Sequence, residues 1–389
     1  MQKSLRELKG VVLITQSLAM GGAEKGLMPV MTWFHKQKIP VKAWTTSSQF
    51  NKELIIRGIK AYKIPVVIDI IGDWKGLIKG LVLFPFAIFY YGIITYKNRN
   101  FGTILLSDFP EKILVTPWAK LMNIPVVWIE HGPIKDIFSK FWGLPKFLYH
   151  LVSKYPDFVL MPSRHTRDSN LEITGLSPAK IEVIPSCVDP PVSISAVPQG
   201  LTAYCASRME FGKGQDILIK AWPMVLRSFP NARLFFTGEG DFREKLEKQV
   251  SDLKIKKSVT FLGWVKDLNK VVSPYSLSIF PSVWPLEGFG LVLVETMALG
   301  KPIICFKTGP YPEVVDADCA IMVPRGNIEK LSEAIIRIFS NPRLAKKMGI
   351  NGEKRFYDIF TPDKIAPRYG NLLLRAQISC QRRKSLYNS

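Results

Sequence analysis

Two carboxylates, Glu287 and Glu295, stand eight positions apart in the stretch Ser282–Glu313, and Gly288-Phe289-Gly290 follows the first of them directly. Eight residues is slightly more than two helical turns, so the spacing predicts both carboxylates on one side of one element. Glycines at a helix start let backbone N–H groups approach a ligand, and that end of a helix favours anions. A cradle for phosphate and sugar hydroxyls is the chemistry these residues suit. A second pair, Arg208 and Lys213, lies in the turn Ala206–Gly214 before a helical run. There an Arg fork and a Lys point charge could clamp a diphosphate; surface ion pairing is the alternative. His131 follows an apolar run in Glu130-His131-Gly132-Pro133, either placed for chemistry or as a hydrogen-bonded loop residue.

These residues need strands that deliver them to one edge. Val11–Thr15 is a short apolar run that ends at Gly21-Gly22-Ala23-Glu24 and passes into a helical pattern over Leu27–Phe34. Strand, glycine turn and helix open a Rossmann-like unit, although the glycines depart from the dinucleotide spacing G-x-G-x-x-G. Strand signals recur at Val41–Thr45, Ala61–Val67, Thr103–Leu106, Val126–Ile129, Phe158–Met161 and Ile181–Ile184. Residues 185–200 carry four prolines and read as a linker. Alternation then restarts at Leu201–Ala206 and continues to Ala320–Val323. The fold class expected is α/β, two doubly wound parallel-sheet domains, over residues 1–195 and 196–365, with 366–389 a C-terminal helix and frayed basic tail.

Composition narrows the function classes. With 389 residues and 47% apolar side chains the chain fills two cores, which excludes a disordered protein. The charge of +21 is uneven: residues 1–100 hold 15 basic and 5 acidic side chains, and 151–300 hold 17 and 15. Without a zinc-finger spacing or an aromatic-basic motif, nucleic acid is not the expected partner, whereas an anionic membrane surface fits a basic first domain. Five cysteines with no C-x-x-C pair point to a reduced cytoplasmic setting without a structural metal. The basic, apolar N-terminus reads as a buried first strand and not as a signal peptide, because Thr15, Gln16 and Ser17 interrupt it.

Residues 74–98 are the most apolar part of the chain, uncharged from Gly80 to Tyr96. They fit a helix covering one sheet face, an interfacial helix flanked by Lys75, Lys79 and Lys97, or a short membrane span with Pro85 inside it. A second stretch, 138–154, again interleaves aromatic residues with lysines. Both suggest a lipid-facing first domain.

In their order, the Arg208/Lys213 turn, Gly238-Glu239-Gly240, Phe280-Pro281-Ser282, Glu287–Glu295 and Thr308–Glu313 resemble the retaining GT-B glycosyltransferases of family four, the group one glycosyl transferases. Gly21–Glu24 and Glu130-His131-Gly132 extend the resemblance to nearly the whole chain. It implies two Rossmann-like domains facing across a cleft that holds a nucleotide-sugar donor. By that resemblance Arg208 and Lys213 hold the diphosphate, Glu295 the ribose, and Glu287 the transferred sugar. Backbone N–H groups of Phe289, Gly290 and Leu291 meet phosphate or sugar oxygens, Gly22 lies against the diphosphate, and His131 contacts the sugar. Trp264 and Val265 receive the base.

The activity so implied is retaining, metal-independent transfer to a glycan or lipid-linked acceptor, with no cofactor beyond the donor, at the cytoplasmic face of a membrane. A GT-B-like nucleotide-sugar epimerase and a non-catalytic membrane-surface binding protein are the alternatives. Two departures stand out: Ser186-Cys187-Val188-Asp189 where the family has Asn-Gly-Val-Asp, and Gly309-Pro310 where it has Gly-Gly. The first leaves the expected hinge without a residue that tolerates positive φ.

Overall fold

In the computed structural model the apolar runs become two all-parallel sheets, one in each of two units. The structure describes residues 5–17, 20–191, 200–265 and 271–388. Half of the proline-rich linker stretch (192–199), the boundary expected at 195/196 and the last residue of the tail lie outside them. The first unit comprises Met1–Cys187 together with Pro362–Ser389, and the second Val188–Thr361.

In the first unit, seven strands run β1 (Val11–Thr15), β2 (Val41–Thr45), β3 (Lys60–Lys63), β4 (Thr103–Leu106), β5 (Val126–Ile129), β6 (Phe158–Met161) and β7 (Ile181–Val183). Their spatial order is 3-2-1-4-5-6-7, the doubly wound arrangement. Every residue of β1 is buried because both sheet faces are covered. Val11 and Leu13 belong to one core and Val12 and Ile14 to the other, as the twofold alternation of a strand requires.

The first face carries α1 (Gly22–Lys36) and α2 (Ser48–Ile56). The second carries α3 (Trp74–Lys97), α4 (Phe109–Leu121) and α6 (Leu144–Val152), which follows α5 (Lys135–Ser139) and a 3₁₀ turn, Lys140–Gly143. Then α7 (Arg164–Thr174) precedes β7.

Six strands form the second unit: β8 (Thr202–Ala206), β9 (Arg233–Thr237), β10 (Val259–Gly263), β11 (Leu277–Phe280), β12 (Ile303–Phe306) and β13 (Ala320–Val323), in spatial order 10-9-8-11-12-13. Its helices are α8 (Gln215–Ser228), α9 (Arg243–Asp252), α10 (Leu291–Ala298), α11 (Tyr311–Val314), α12 (Ile328–Ser340) and α13 (Pro342–Arg355). One core sets Leu218 and Trp222 of α8 and Ile335 of α12 against Cys205 and Phe236. The other gathers Val294 and Met297 of α10 with Phe280, Cys305 and Phe356.

The last helix, α14 (Pro362–Asn388), belongs to the first unit. Asp363 accepts a hydrogen bond from Trp33 Nε1 of α1 at 2.7 Å, and Tyr369, Leu372 and Leu373 complete the α1 face of the core. Helical structure runs on to Asn388, where a frayed tail was expected. Cys187 is buried, and neither it nor Ser186 is among the described residues with positive φ, so the altered turn needs no glycine there. All five cysteines are buried, and no disulfide joins them.

Candidate functional site

Strands β8 and β11 are neighbours whose connections leave in opposite directions, which opens a crevice at their carboxyl ends. The loop after β8 runs to Gly214, the left-handed cap of α8 (φ 75°), and the loop after β11 runs to Gly290, the left-handed cap of α10 (φ 87°). These loops are joined: Val283 N–H donates to the Gly212 carbonyl at 2.8 Å. A Cβ on Gly214 would collide with the Pro281 carbonyl oxygen, and one on Gly212 would sit 2.7 Å from Trp284 Cε3. Two glycines therefore let the loops close, and Lys213 between them is delivered to its partner. Lys213 Nζ lies 2.5 Å from Glu287 Oε1, and Ser282 Oγ donates to the same oxygen at 3.1 Å. The side chains are only 13% and 16% exposed. Burial, reinforced by the Glu287 charge, pushes the buried Tyr311 hydroxyl well above its ordinary range.

This arrangement corrects the expectation that Glu287 and Glu295 share one helix. The helix begins only at Leu291, because Gly290 ends the loop in the left-handed region. Glu287 thus belongs to the loop beside Lys213, while Glu295 is half-buried on α10, next to Thr296, whose hydroxyl pairs with Tyr204 at 2.9 Å. Phe289 and Leu291 point their side chains into the core, Phe289 against Phe360 at 6.1 Å between ring centroids, which leaves their backbone for a ligand. The first N–H groups of α10 have no acceptor within the helix. Arg208 is 74% exposed and pairs with Glu210 at 2.7 Å. Trp264 (60% exposed) and half-buried Val265 follow β10 at the sheet's edge, two strands away from the β8/β11 crevice.

The corresponding crevice of the first unit lies between β1 and β4. Gly22 opens α1 with nothing within 4 Å of where a Cβ would project, and Gly21 N–H donates to Glu24 Oε2 at 2.7 Å. Across the crevice, Thr15 Oγ1 donates to Asp108 Oδ2 at 2.6 Å, and Ser107 Oγ pairs with His131 Nε2 at 2.7 Å. Burial, with the Lys112 charge adding to it against Asp108, lowers the imidazole from 6.5 to about 4, so His131 is neutral at pH 7.

Lys112 is itself buried: Nζ donates to the Ile129 carbonyl at 2.6 Å and meets Glu130 Oε1 at 2.9 Å. The Tyr149 hydroxyl donates to that same Glu130 oxygen at 3.0 Å. Glu111 receives the Asp108 N–H at 2.5 Å on Oε1, while its buried Oε2 has no hydrogen-bond partner among the described residues.

Burial, then the Asp108 charge, raises the Glu111 carboxyl from 4.5 to about 8. A raised carboxyl stabilises the fold below its unfolded value, and the contribution is lost as pH rises through its folded value. His131 acts oppositely, stabilising above 6.5 and losing that contribution as pH falls through about 4. Between pH 7 and 9 the Glu111 effect is the one that changes, with a slope of at most about 1.4 kcal/mol per pH unit. The unfolding temperature is expected to fall over that range, and Glu111→Gln to flatten the fall. An undiminished slope in the variant, read by tryptophan fluorescence, would assign the titration to another group.

Ser282, Trp284, Tyr311, Ser107, Asp108 and Lys112 were not among the residues expected at the site. Asp108 had a readable signal, an acid between a strand and a helix with Glu111 three residues on. Lys112 had none, since a lysine in a helix start reads as solvated.

Known proteins match this architecture and these motifs. The family model for glycosyl transferases group 1 covers residues 196–355, and that for Glycosyltransferase Family 4 covers 79–191. A GDP-mannose-dependent monoacylated alpha-(1-6)-phosphatidylinositol monomannoside mannosyltransferase of Corynebacterium glutamicum is 30% identical over 43% of this chain and 46% of its own length. The MMP alpha-(1->4)-mannosyltransferase of Mycolicibacterium hassiacum is 25% identical over 70% of this chain and 68% of its own. The first of these matches therefore spans less than half of the relative. Among solved structures, Anabaena Alr3699/HepE in complex with UDP and glucose superposes with a TM-score of 0.78 at 19% identity, over 94% of this chain and 99% of that one, a likeness of fold. Two GT-B-type parallel-sheet units, a glycine-framed Lys213–Glu287 pair at a switch point and two adjoining family matches lead to one conclusion: the chain belongs to the group 1, family four glycosyl transferases.

Proposed function

We propose that this chain is a retaining hexosyltransferase that moves a sugar from a UDP- or GDP-sugar to a glycan or lipid-linked acceptor, in cell-surface polysaccharide or glycolipid synthesis on the cytoplasmic side. The observation that carries the reading is the Lys213–Glu287 pair, 2.5 Å apart and mostly shielded at the β8/β11 crevice. It puts a cation suited to a departing diphosphate beside a carboxylate suited to sugar hydroxyls, as the junction between phosphate and sugar in such a donor demands. Arg208 adds a second cation; its exposed pairing with Glu210 is worth little in water and is readily exchanged for phosphate. The two mannosyltransferases matched above, one of them GDP-mannose-dependent, support a nucleotide-sugar donor.

In the reaction the bond from the sugar's anomeric carbon to the diphosphate oxygen breaks. An acceptor hydroxyl oxygen bonds to that carbon on the vacated face, and its proton passes to the leaving diphosphate. Lys213 and Arg208 stabilise the negative charge that builds on that group, and we assign them the work that other folds give to a divalent metal. Glu287 orients the sugar, and Glu295 receives the ribose hydroxyls.

A thermal-shift screen tests this. A cognate donor at a hundredfold excess over Kd is expected to raise the unfolding temperature by about 5–10 °C. Glu295→Ala should raise the donor KM roughly tenfold to a hundredfold, the scale of lost hydrogen bonds to a charged group. No shift with any UDP-, GDP- or ADP-sugar overturns the reading, and a new sugar isomer formed without acceptor marks an epimerase.

A further inference from the structure

Helix α3 is apolar on two opposite sides, and only one of them is used inside the protein. Its inward stripe, Leu77, Gly80, Ala87, Tyr91 and Ile94, is buried on the sheet. That side is tightly fastened. A Cβ on Gly92 would lie 2.7 Å from Trp118 Cε2 of α4, and Trp118 Nε1 donates to the Ile88 carbonyl at 2.8 Å. The Tyr91 hydroxyl reaches Gln16 Oε1 at 3.3 Å. The opposite stripe, Ile78, Val82, Phe86, Phe89 and Ile93, is 53–74% exposed. A helix apolar all round is ordinarily buried all round, and a contiguous exposed patch of this kind marks an interaction surface.

A second observation sits at the N-terminal end of the same stripe. Phe141 and Trp142 both adopt left-handed backbone (φ 48° and 54°), a region that bulky residues avoid. That turn leaves Trp142 92% exposed, its ring 5.1 Å from that of half-exposed Trp74 at the start of α3. The same turn seats half-buried Phe141 against the core and Trp74, and leaves Trp142 outside it. Tyr96, 53% exposed with the Arg99 guanidinium 3.8 Å from its ring centroid, marks the other end. The apolar stripe thus runs between two aromatic ends, and the exposed cations Lys75, Lys79 and Lys97 stand on the same helix. The acids at that end are engaged locally: Asp73 caps α3 through the Gly76 N–H at 2.7 Å, and Asp69 accepts from the Gly72 N–H at 2.7 Å.

We propose that the outward stripe of α3 and the Trp74/Trp142 corner form a docking surface for an anionic lipid bilayer, with α3 lying in the interface plane and not crossing it. Charge complementarity selects the occupant: basic side chains border an apolar, aromatic-ended strip, the pattern of a helix seated at headgroup depth. Immersing α3 as a span would strip its inward stripe from the sheet and from Trp118. The inference rests on the acceptor reading only for its purpose, which is to hold the chain where a lipid-linked acceptor is; its test does not depend on catalysis.

The full chain is mixed with vesicles of 30% phosphatidylglycerol in phosphatidylcholine and with phosphatidylcholine alone. Binding is expected to be at least tenfold tighter to the anionic vesicles and to weaken with salt. The exposed double substitution Phe86→Glu/Phe89→Glu, and separately Trp142→Ala, should each lower partitioning about tenfold or more, with unchanged circular dichroism and unchanged thermal response to donor nucleotide. Lys75→Glu/Lys79→Glu should remove the preference for anionic lipid. Equal partitioning by wild type and all three variants overturns the proposal. So does a solution dimer that Phe86→Glu/Phe89→Glu dissociates, which would assign the stripe to a second copy, or bound protein that resists carbonate extraction, which would make α3 a span. If vesicle binding behaves as stated while no nucleotide sugar binds, the docking surface stands and the transferase reading fails.

Discussion

Lys213→Ala is expected to lower kcat/KM for sugar transfer by roughly 10²–10³, the range seen when one preorganised group that stabilises developing charge is removed. The loss should fall mainly on kcat, because the charge on the leaving diphosphate is greatest in the transition state. In the resting protein Lys213 shares Glu287 Oε1 with Ser282 Oγ, so the variant keeps one of the two donors that hold Glu287, and donor KM should change less than kcat. Lys213→Arg is expected to rescue poorly. The Lys213 ammonium lies 2.5 Å from Glu287 Oε1 and 5.7 Å from the Trp284 ring centroid, where a planar fork needs more room than a compact charge. Steady-state kinetics with the donor found by thermal shift measures both constants. A loss below tenfold in kcat would remove Lys213 from the transition state.

Lys112→Met should be the most damaging single substitution outside the crevices. It leaves the Glu130 carboxylate buried with the Tyr149 hydroxyl as its remaining hydrogen-bond donor among those described. Stranding one member of a buried pair costs about 3–5 kcal/mol. For a unit of this size that corresponds to a fall of roughly 6–20 °C in its unfolding temperature. His131 should also titrate higher, since the Lys112 charge is one of the causes that hold it down. The double variant Lys112→Met/Glu130→Gln removes both charges and should recover much of the loss. Calorimetry on the full chain, with the His131 ring followed by NMR, separates these outcomes. A single variant as stable as wild type would show that the pair is not needed.

Much of the architecture was legible in the chain because parallel strands covered on both faces are continuous apolar runs, and Val11–Thr15, Val126–Ile129 and Phe158–Met161 appear as such with their exact limits. The third strand was not: apolar character persists to Val67, yet the strand ends at Lys63 and its last hydrogen bond to β2 is from the Ile64 N–H to the Thr45 carbonyl, since a run of apolar residues does not say where pairing ends. Glycines made the site's frame visible. Gly214 and Gly290 stand where left-handed backbone and close loop approach leave no space for a Cβ.

By itself the sequence determined two doubly wound units and the region after β8 and β11 as the place where charge would be used, because periodicity and glycine turns are local properties. Which charges meet was decided only by the tertiary structure. Glu287 is paired with Lys213, 74 positions away, instead of sharing a helix with Glu295, since the contact depends on two loops closing over the same sheet edge. Burial was decided there as well: in sequence Lys112 reads as a solvated lysine, and Trp142 as one aromatic residue among several in 138–154. One is enclosed with Glu130 and the other is held out by left-handed backbone, because exposure is a property of the packed chain.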